Sequence, residues 1–394
     1  MKRSAAMAAI LVGLGVAAGV VAWAWTHRSG SGGGPAGPAH EPVVRLADWP
    51  LFRGDTGMLG VAPGSLGDKL RPLWKFTTAG PVTSSAVLAD GRVYIGSGDA
   101  NVYCLDALTG EKVWSFATGD AVDAPPTVLA GSVYVGSSDT FLHALEAKTG
   151  ISRWKVETEE KVLGAANAFR DPNSGALRIV FGSYDFNLHC VDANTGRGVW
   201  KYKSGNYING GVAVSGGRTV FGGCDAVIHV VRPDGTELKA IDAGAYVAAT
   251  PAFDGRRVYV GNYDGGFVCA DVADGKIVWT YTADEPFVSS PAVGGDRVVI
   301  GGRDGNVHCV DRETGRGLWK APTRDEVNSS PVICGDKVVV GSNDGRLYLL
   351  GLADGKRLWS YDLGDAVESS PAVGGNLVVV GCADGTVRAF GPTR

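Results

Sequence analysis

Val82-Thr83-Ser84-Ser85-Ala86-Val87, Arg92-Val93-Tyr94-Ile95-Gly96-Ser97, Val102-Tyr103-Cys104-Leu105-Asp106 and Val113-Trp114 are successive runs of one unit. The runs are short and rich in β-branched and aromatic residues. Gly and Asp punctuate them, with Asp99 before the third run and Thr109-Gly110 before the last. This is the pattern of four strands joined by tight turns. The unit starts again at Val122, Val162, Ile208, Val247, Phe287, Val327 and Val367, which makes eight copies. Seven tryptophans mark the period: Trp74, Trp114, Trp154, Trp200, Trp279, Trp319 and Trp359, with steps of 40, 40, 46, 79, 40 and 40 residues. The 79 spans two periods with one Trp skipped, and the 46 contains the short insert Arg170 to Ala176.

A period of about 40 residues with strand-like alternation points to a propeller, whose small units must pack on one another. Helical arrays share the period, but alternation at every second residue and dense glycine argue against them. Glycine makes up 59 of 394 residues, about twice the usual share, as a turn-dense all-β chain requires. The turn before each Trp strand reads Thr-Gly or Asp-Gly, as at Thr149-Gly150, Thr195-Gly196, Asp274-Gly275, Thr314-Gly315 and Asp354-Gly355. The fourth copy has Pro233-Asp234-Gly235 but no Trp of its own, and a weaker outer strand is expected at Leu238 to Ile241.

Closure is legible as well. The eighth copy stops at Phe390-Gly391, before a Trp strand, while a spare one, Leu73-Trp74-Lys75-Phe76, precedes the first copy. The expected fold is therefore an all-β, eight-bladed propeller of four-stranded antiparallel blades. Its last blade is completed by the N-terminal strand, which removes open sheet edges.

The bulk numbers narrow the function. A net charge of −4 gives no reason to expect nucleic acid. The seven cysteines are scattered, with no CxxC pair for zinc or redox chemistry. Cys104, Cys190, Cys269 and Cys309 share one repeat position, which other copies fill with Ala144, Val230, Leu349 and Ala389, so a small buried side chain is expected there. No GxSxG, HExxH or P-loop motif occurs.

Residues 1–28 differ from the rest. Lys2 and Arg3 precede an uncharged run from Ala5 to Trp25, long enough to span a bilayer. A transmembrane signal-anchor is expected, with the N-terminus inside and the propeller periplasmic or extracellular. Ala22-Trp23-Ala24 offers a cleavage site as the alternative, and the Gly15/Gly19 pair is read as incidental. Residues 29–42 form a Gly/Ser/Pro linker, 43–72 a lead-in segment, and 73–394 the propeller.

Ser289-Ser290-Pro291-Ala292-Val293, followed by Gly301, Asp304, Asp311, Thr314-Gly315 and Trp319, resembles the repeat of the pyrroloquinoline-quinone (PQQ)-like propeller family. The resemblance spans about residues 73 to 391. The lead-in Asp48-Trp49-Pro50-Leu51-Phe52-Arg53-Gly54-Asp55 resembles that of bacterial members, and its Arg-Gly-Asp tripeptide is read as incidental. The resemblance implies one of two functions. Quinoprotein dehydrogenases hold the quinone and a calcium ion in the funnel; other members are scaffolds, such as the propeller lipoprotein of the outer-membrane β-barrel assembly machinery. The chain departs from both. It lacks the adjacent Cys-Cys pair and the CxxCH site of the dehydrogenases, and its first cysteine, Cys104, lies too late for a lipid anchor.

If strand order runs from the axis outward, the loops after the second and fourth strands share one face. Departures from the repeat on that face mark a candidate rim for a ligand or partner: Tyr184, Tyr207, Asn209, Cys224, Tyr246, Tyr263, Arg303, Asn328, Asn343 and Glu368. The turn Asp present in every copy (Asp99, Asp139, Asp185, Asp225, Asp264, Asp304, Asp344, Asp384) is read as structural, capping its own turn. His143, His189, His229 and His308 share a position that alternates with the buried one and are expected to be packing or surface residues rather than metal ligands. We therefore expect a non-catalytic envelope scaffold for a protein or cell-envelope partner, with no catalytic residue, metal or cofactor. The alternatives are a PQQ-type, quinone-dependent oxidoreductase and a small-ligand sensor using the rim.

Overall fold

The computed structural model describes residues 48–393. The expected anchor and linker lie outside the described residues. Eight sheets follow one another along the chain, each with four antiparallel strands. Blade 1 is typical, with strands Val87–Ala89, Arg92–Ser97, Asn101–Asp106 and Lys112–Ala117. The first strands of adjacent blades lie side by side around the axis, so strand order runs outward. Blade 8 supplies only Ala372–Gly374, Leu377–Cys382 and Thr386–Pro392. Its outer strand is the N-terminal Leu70–Thr77, antiparallel to Thr386–Pro392 with Trp74 opposite Ala389. The ring closes as the sequence predicts.

Apolar clusters form between blades rather than within them. Val87, Tyr94, Cys104 and Trp114 of blade 1 share a cluster with Val122, Val133, Val135 and Leu145 of blade 2. Two glycine positions permit this approach. The first ends each second strand: a Cβ added at Gly301, Gly341 or Gly381 would sit 2.5 Å from Val327, Val367 or Val82 of the next blade. The Gly381–Val82 contact lies at the closing seam. The second is the outer turn. Gly315 has φ 70°, and a Cβ there would meet the Trp279 ring of the preceding blade at 2.6 Å. The Trp279 Nε1 then donates to the Arg312 carbonyl at 2.9 Å, and Trp74, Trp200 and Trp319 repeat the bond onto the blade that follows. A β-bulge before each Trp leaves the skipped residue facing outward, which exposes Val113 and Val278.

The Ser-Ser pair of the repeat stitches the inner strands together. Ser329 Oγ accepts the Gly341 amide of its own blade, and Ser330 Oγ accepts the Ser290 amide of the blade before. The chain of amide-to-hydroxyl bonds runs on through Ser370 and Ser85 across the closing seam.

The outer strand expected to be weaker in the fourth blade is present as Glu237–Asp242, pairing around a bulge at Leu238, with Lys239 opposite Val230 where the other blades place Trp. What it loses is the Trp seat, so Gly275 of blade 5 faces the Lys239 stem. Of the two readings the sequence left open for the four histidines, packing or surface, the structure shows packing. All are buried, and each Nε2 bonds the turn aspartate four residues earlier, at 2.9 Å in His143–Asp139, His229–Asp225 and His308–Asp304. Strand alternation turns them into the seam with the neighbouring blade rather than into solvent. Tyr103, Tyr348 and Arg388 make the same bond to Asp99, Asp344 and Asp384.

Candidate functional site

The lead-in segment decides which end of the channel is open. It crosses the ring at the end of the first strands. Trp49 pairs with Leu88 of blade 1, Pro50 accepts from Val128 of blade 2, and Thr56 accepts from Val214 of blade 4. Gly57 then accepts from Phe253, Leu59 from Val293 and Gly60 from Ile333, and Val61–Ala62 adds a parallel strand to blade 7. Arg53, 1 % exposed, sits within this strap. Its guanidinium donates to the carbonyls of Ser330 and Pro291, both at 3.1 Å, and to that of Pro331. Burial brings Arg53 down to about 9, against the opposing pull of Asp55. The strap crosses the face of the first and third loops, leaving the channel mouth on the face of the second and fourth. The sequence signal was available: Trp49, Leu51 and Phe52 are large apolar residues outside any repeat, and all three are buried.

The predicted rim residues lie on the open face and fall into two groups. On blades 3 to 5, the Tyr184 and Tyr207 rings stand 4.8 Å apart, and Asn209 Nδ2 donates to Cys224 Sγ at 3.3 Å. Burial raises the Tyr184 hydroxyl first, and the proximity of Cys224, Tyr263 and Tyr207 raises it further. On blades 5 to 7, the Arg303 guanidinium lies 5.8 Å from the centre of the Tyr263 ring and donates to Asn328 Oδ1 at 3.3 Å. Glu326 joins this group, 3.5 Å from Arg303 and accepting from Asn328 Nδ2 at 3.2 Å. Tyr246 meets Tyr263 only through a backbone bond and is 58 % exposed. Asn343 is held by its amide to the Glu326 carbonyl, with its Oδ1 unpartnered among the described residues. Glu368 stands apart and exposed.

Phe186 and Glu326 were missed by the sequence reading. Phe186 follows the turn aspartate, where other copies carry Ala100, Thr140, Ala226, Gly265, Gly305, Gly345 or Gly385. That position takes a positive φ, 69° at Phe186, and an aromatic residue there is a departure the sequence could have flagged. Its ring meets Tyr207 edge-on at 5.0 Å. These side chains wall a groove of about 500 Å³ between blades 3 and 4. A second hollow, about 380 Å³, lies on the opposite face between the Asp171–Asn173 insert and Trp200.

The turn aspartates behave as structural groups. Burial alone would raise the Asp185 carboxyl, but bonds from His189 and Asn187 outweigh it and bring it down to about 2. A stacked quinone with a calcium ion does not fit the residues present. Among the described residues no three His, Cys, Asp or Glu side chains converge to hold a cation. Cys224, the one cysteine at the mouth, is single and held by Asn209. The Arg53 and Arg303 guanidinium groups are already engaged, with carbonyls and with Glu326.

The structure is similar to several solved propellers. It matches the computationally designed protein Ika8 with a TM-score of 0.72 at 19 % identity, over 82 % of this chain and 99 % of that one. It matches BamB from Moraxella catarrhalis with a TM-score of 0.68 at 19 % identity, over 82 % and 100 %. It matches the quinohemoprotein alcohol dehydrogenase of Comamonas testosteroni with a TM-score of 0.73 at 17 % identity, over 88 % and 81 %. At these identities the likeness is one of fold. No curated protein sequence matches the chain. A family model described as outer membrane protein assembly factor BamB matches residues 69–184, 184–290, 224–307 and 271–394, which together cover the whole propeller. On that match, the chain belongs to the PQQ-like repeat β-propeller family represented by BamB.

Proposed function

We propose that the chain is a non-catalytic interaction scaffold of the cell envelope, which holds a polypeptide partner on the open face of its propeller. One observation carries this reading. Tyr207, Tyr246 and Tyr263 are 42 %, 58 % and 39 % exposed on loops of a single face, the one the lead-in strap leaves uncrossed. Tyrosine presents a large rigid surface at low entropic cost, which suits it to hold a protein partner. Membership of the BamB-like family supports a protein partner in the envelope. The charge asymmetry of residues 1–28 supports a single-pass anchor with the propeller outside the cytoplasm.

The quinone-dependent alternative is motivated by the dehydrogenase-like fold and opposed by the donor set at the mouth. Capture of envelope proteins on the full chain, compared with Tyr246→Ala/Tyr263→Ala, tests the scaffold reading. A partner retained by the parent and lost by the double variant is expected. Dye reduction on titration with pyrroloquinoline quinone and calcium would count decisively against it.

A further inference from the structure

We infer that the groove between blades 3 and 4 is a seat for a cationic side chain, and that the segment of partner polypeptide lying there is basic. The inference rests on the scaffold reading and names the chemistry of one part of that surface. Three aromatic rings, Tyr184, Phe186 and Tyr207, wall the groove, in mutual contact at 4.8 and 5.0 Å. Glu159 and Glu160 line it too; both are exposed, and neither forms an ion pair among the described residues. The Asp185 carboxylate behind them is buried and already bonded to His189 and Asn187, so the two glutamates carry the free negative charge, and Lys203 is the one ammonium in the lining. Lys161 follows Glu160 in sequence and is exposed outside the lining. Aromatic faces and surplus carboxylate both attract a cation, so a Lys or Arg side chain is the complementary occupant.

The repeat carries an internal comparison. Arg303 and Cys224 occupy the same position in blades 6 and 4, as Tyr263 and Tyr184 do in blades 5 and 3. In the first pair the chain supplies its own cation: Arg303 lies by the Tyr263 ring and pairs with Glu326. In the second pair the small Cys224 stands there instead, so Tyr184 has aromatic and acidic neighbours but no guanidinium. Phe186 sharpens the contrast. Four copies place glycine at its left-handed position, whereas blade 3 accepts a bulky ring at φ 69° and turns it against Tyr207.

The test uses the full chain and dye-labelled peptides acetyl-Gly-Lys-Gly-Lys-Gly-amide, its norleucine counterpart and its glutamate counterpart, followed by fluorescence anisotropy. The lysine peptide should bind, weaken as salt is raised, and lose at least roughly fivefold in affinity in Phe186→Gly and in Glu159→Gln/Glu160→Gln. Phe186→Gly restores the residue that other copies use, so its melting temperature should be unchanged or higher. Equal binding by the variants, equal binding of the norleucine or glutamate peptide, or no lysine-peptide binding at millimolar concentration overturns the inference. In those cases partner capture through Tyr246 and Tyr263 would still stand. No partner captured by the parent chain, or equal capture by Tyr246→Ala/Tyr263→Ala, with lysine-peptide binding intact would fail the scaffold reading alone.

Discussion

The Phe116 ring meets the His143 ring at 5.6 Å and 61°, in the same pose as Tyr202 on His229 at 5.6 Å and 65°. The two seams differ at the hydroxyl, which at Tyr202 also bonds the Glu237 carboxylate. The Tyr202 hydroxyl lies 2.9 Å from His229 Nδ1, and Tyr281 repeats the bond to His308 at 3.1 Å, whereas His143 Nδ1 is buried with no partner among the described residues. Phe116→Tyr should therefore stabilise the protein by about 1 kcal/mol, read by urea denaturation, because it satisfies a buried acceptor. A lower midpoint would show that the pocket has no room for the hydroxyl.

The buried histidines set an acid response. Burial lowers the pKa of His143 and His308 below the ordinary value, against the pull of Asp139 and Asp304. The folded protein then binds fewer protons than the unfolded chain below about pH 6.5, so stability should fall as pH drops through that region. Asp185 acts lower down: its folded value of about 2 lies beneath the unfolded one, and its contribution is lost between about pH 4 and 2. His143→Tyr should reduce the first loss, since Tyr103 already bonds Asp99 at 2.7 Å under Phe76 in blade 1. Melting temperatures between pH 7.5 and 5 would check this. A slope unchanged by the substitution would assign the loss to other groups.

Lys239 breaks the tryptophan girdle between blades 4 and 5. Lys239→Trp should place indole on the Gly275 turn, with Nε1 directed at the Val272 carbonyl, the counterpart of Ala107 under Trp74. A gain of about 1 kcal/mol is expected from the added bond and burial. A loss would mean that the blade 4–5 seam is shaped around lysine.

The strap is a structural part of the ring. Arg53→Met leaves the carbonyls of Pro291, Ser330 and Pro331 without their donor and should cost about 3 kcal/mol. Deleting residues 1–42 should leave the melting temperature nearly unchanged. Deleting residues 1–80 removes the strap and the Leu70–Thr77 strand together and should lower it strongly. Equal melting of the two truncations would refute closure by the N-terminal strand.

The ring was legible because its determinants repeat. Each Trp, each Thr-Gly turn and each second-strand glycine answers to a neighbour one blade away, so periodicity alone exposes them. The spare Trp74 strand gave the closure for the same reason. The strap was not legible as a seal, since Arg53 bonds backbone carbonyls 238 to 278 residues distant and nothing local announces it. The histidines were left as packing or surface because alternation tells only which side of a strand they occupy, and in a propeller both sides of the middle strands are buried. The rim was legible only as departures from the repeat. Phe186 escaped because it stands one residue after a turn aspartate that was read as purely structural.

Site-specific photo-crosslinking in the full chain addresses the scaffold most directly. A photoreactive amino acid at Tyr246 or Tyr263 should give a discrete adduct with an envelope protein. The same group at Leu108 or Ile151, apolar side chains 62 % and 66 % exposed on turns of the opposite face, should give none. Adducts at Leu108 and Ile151 with none at the tyrosines would contradict a partner-binding open face.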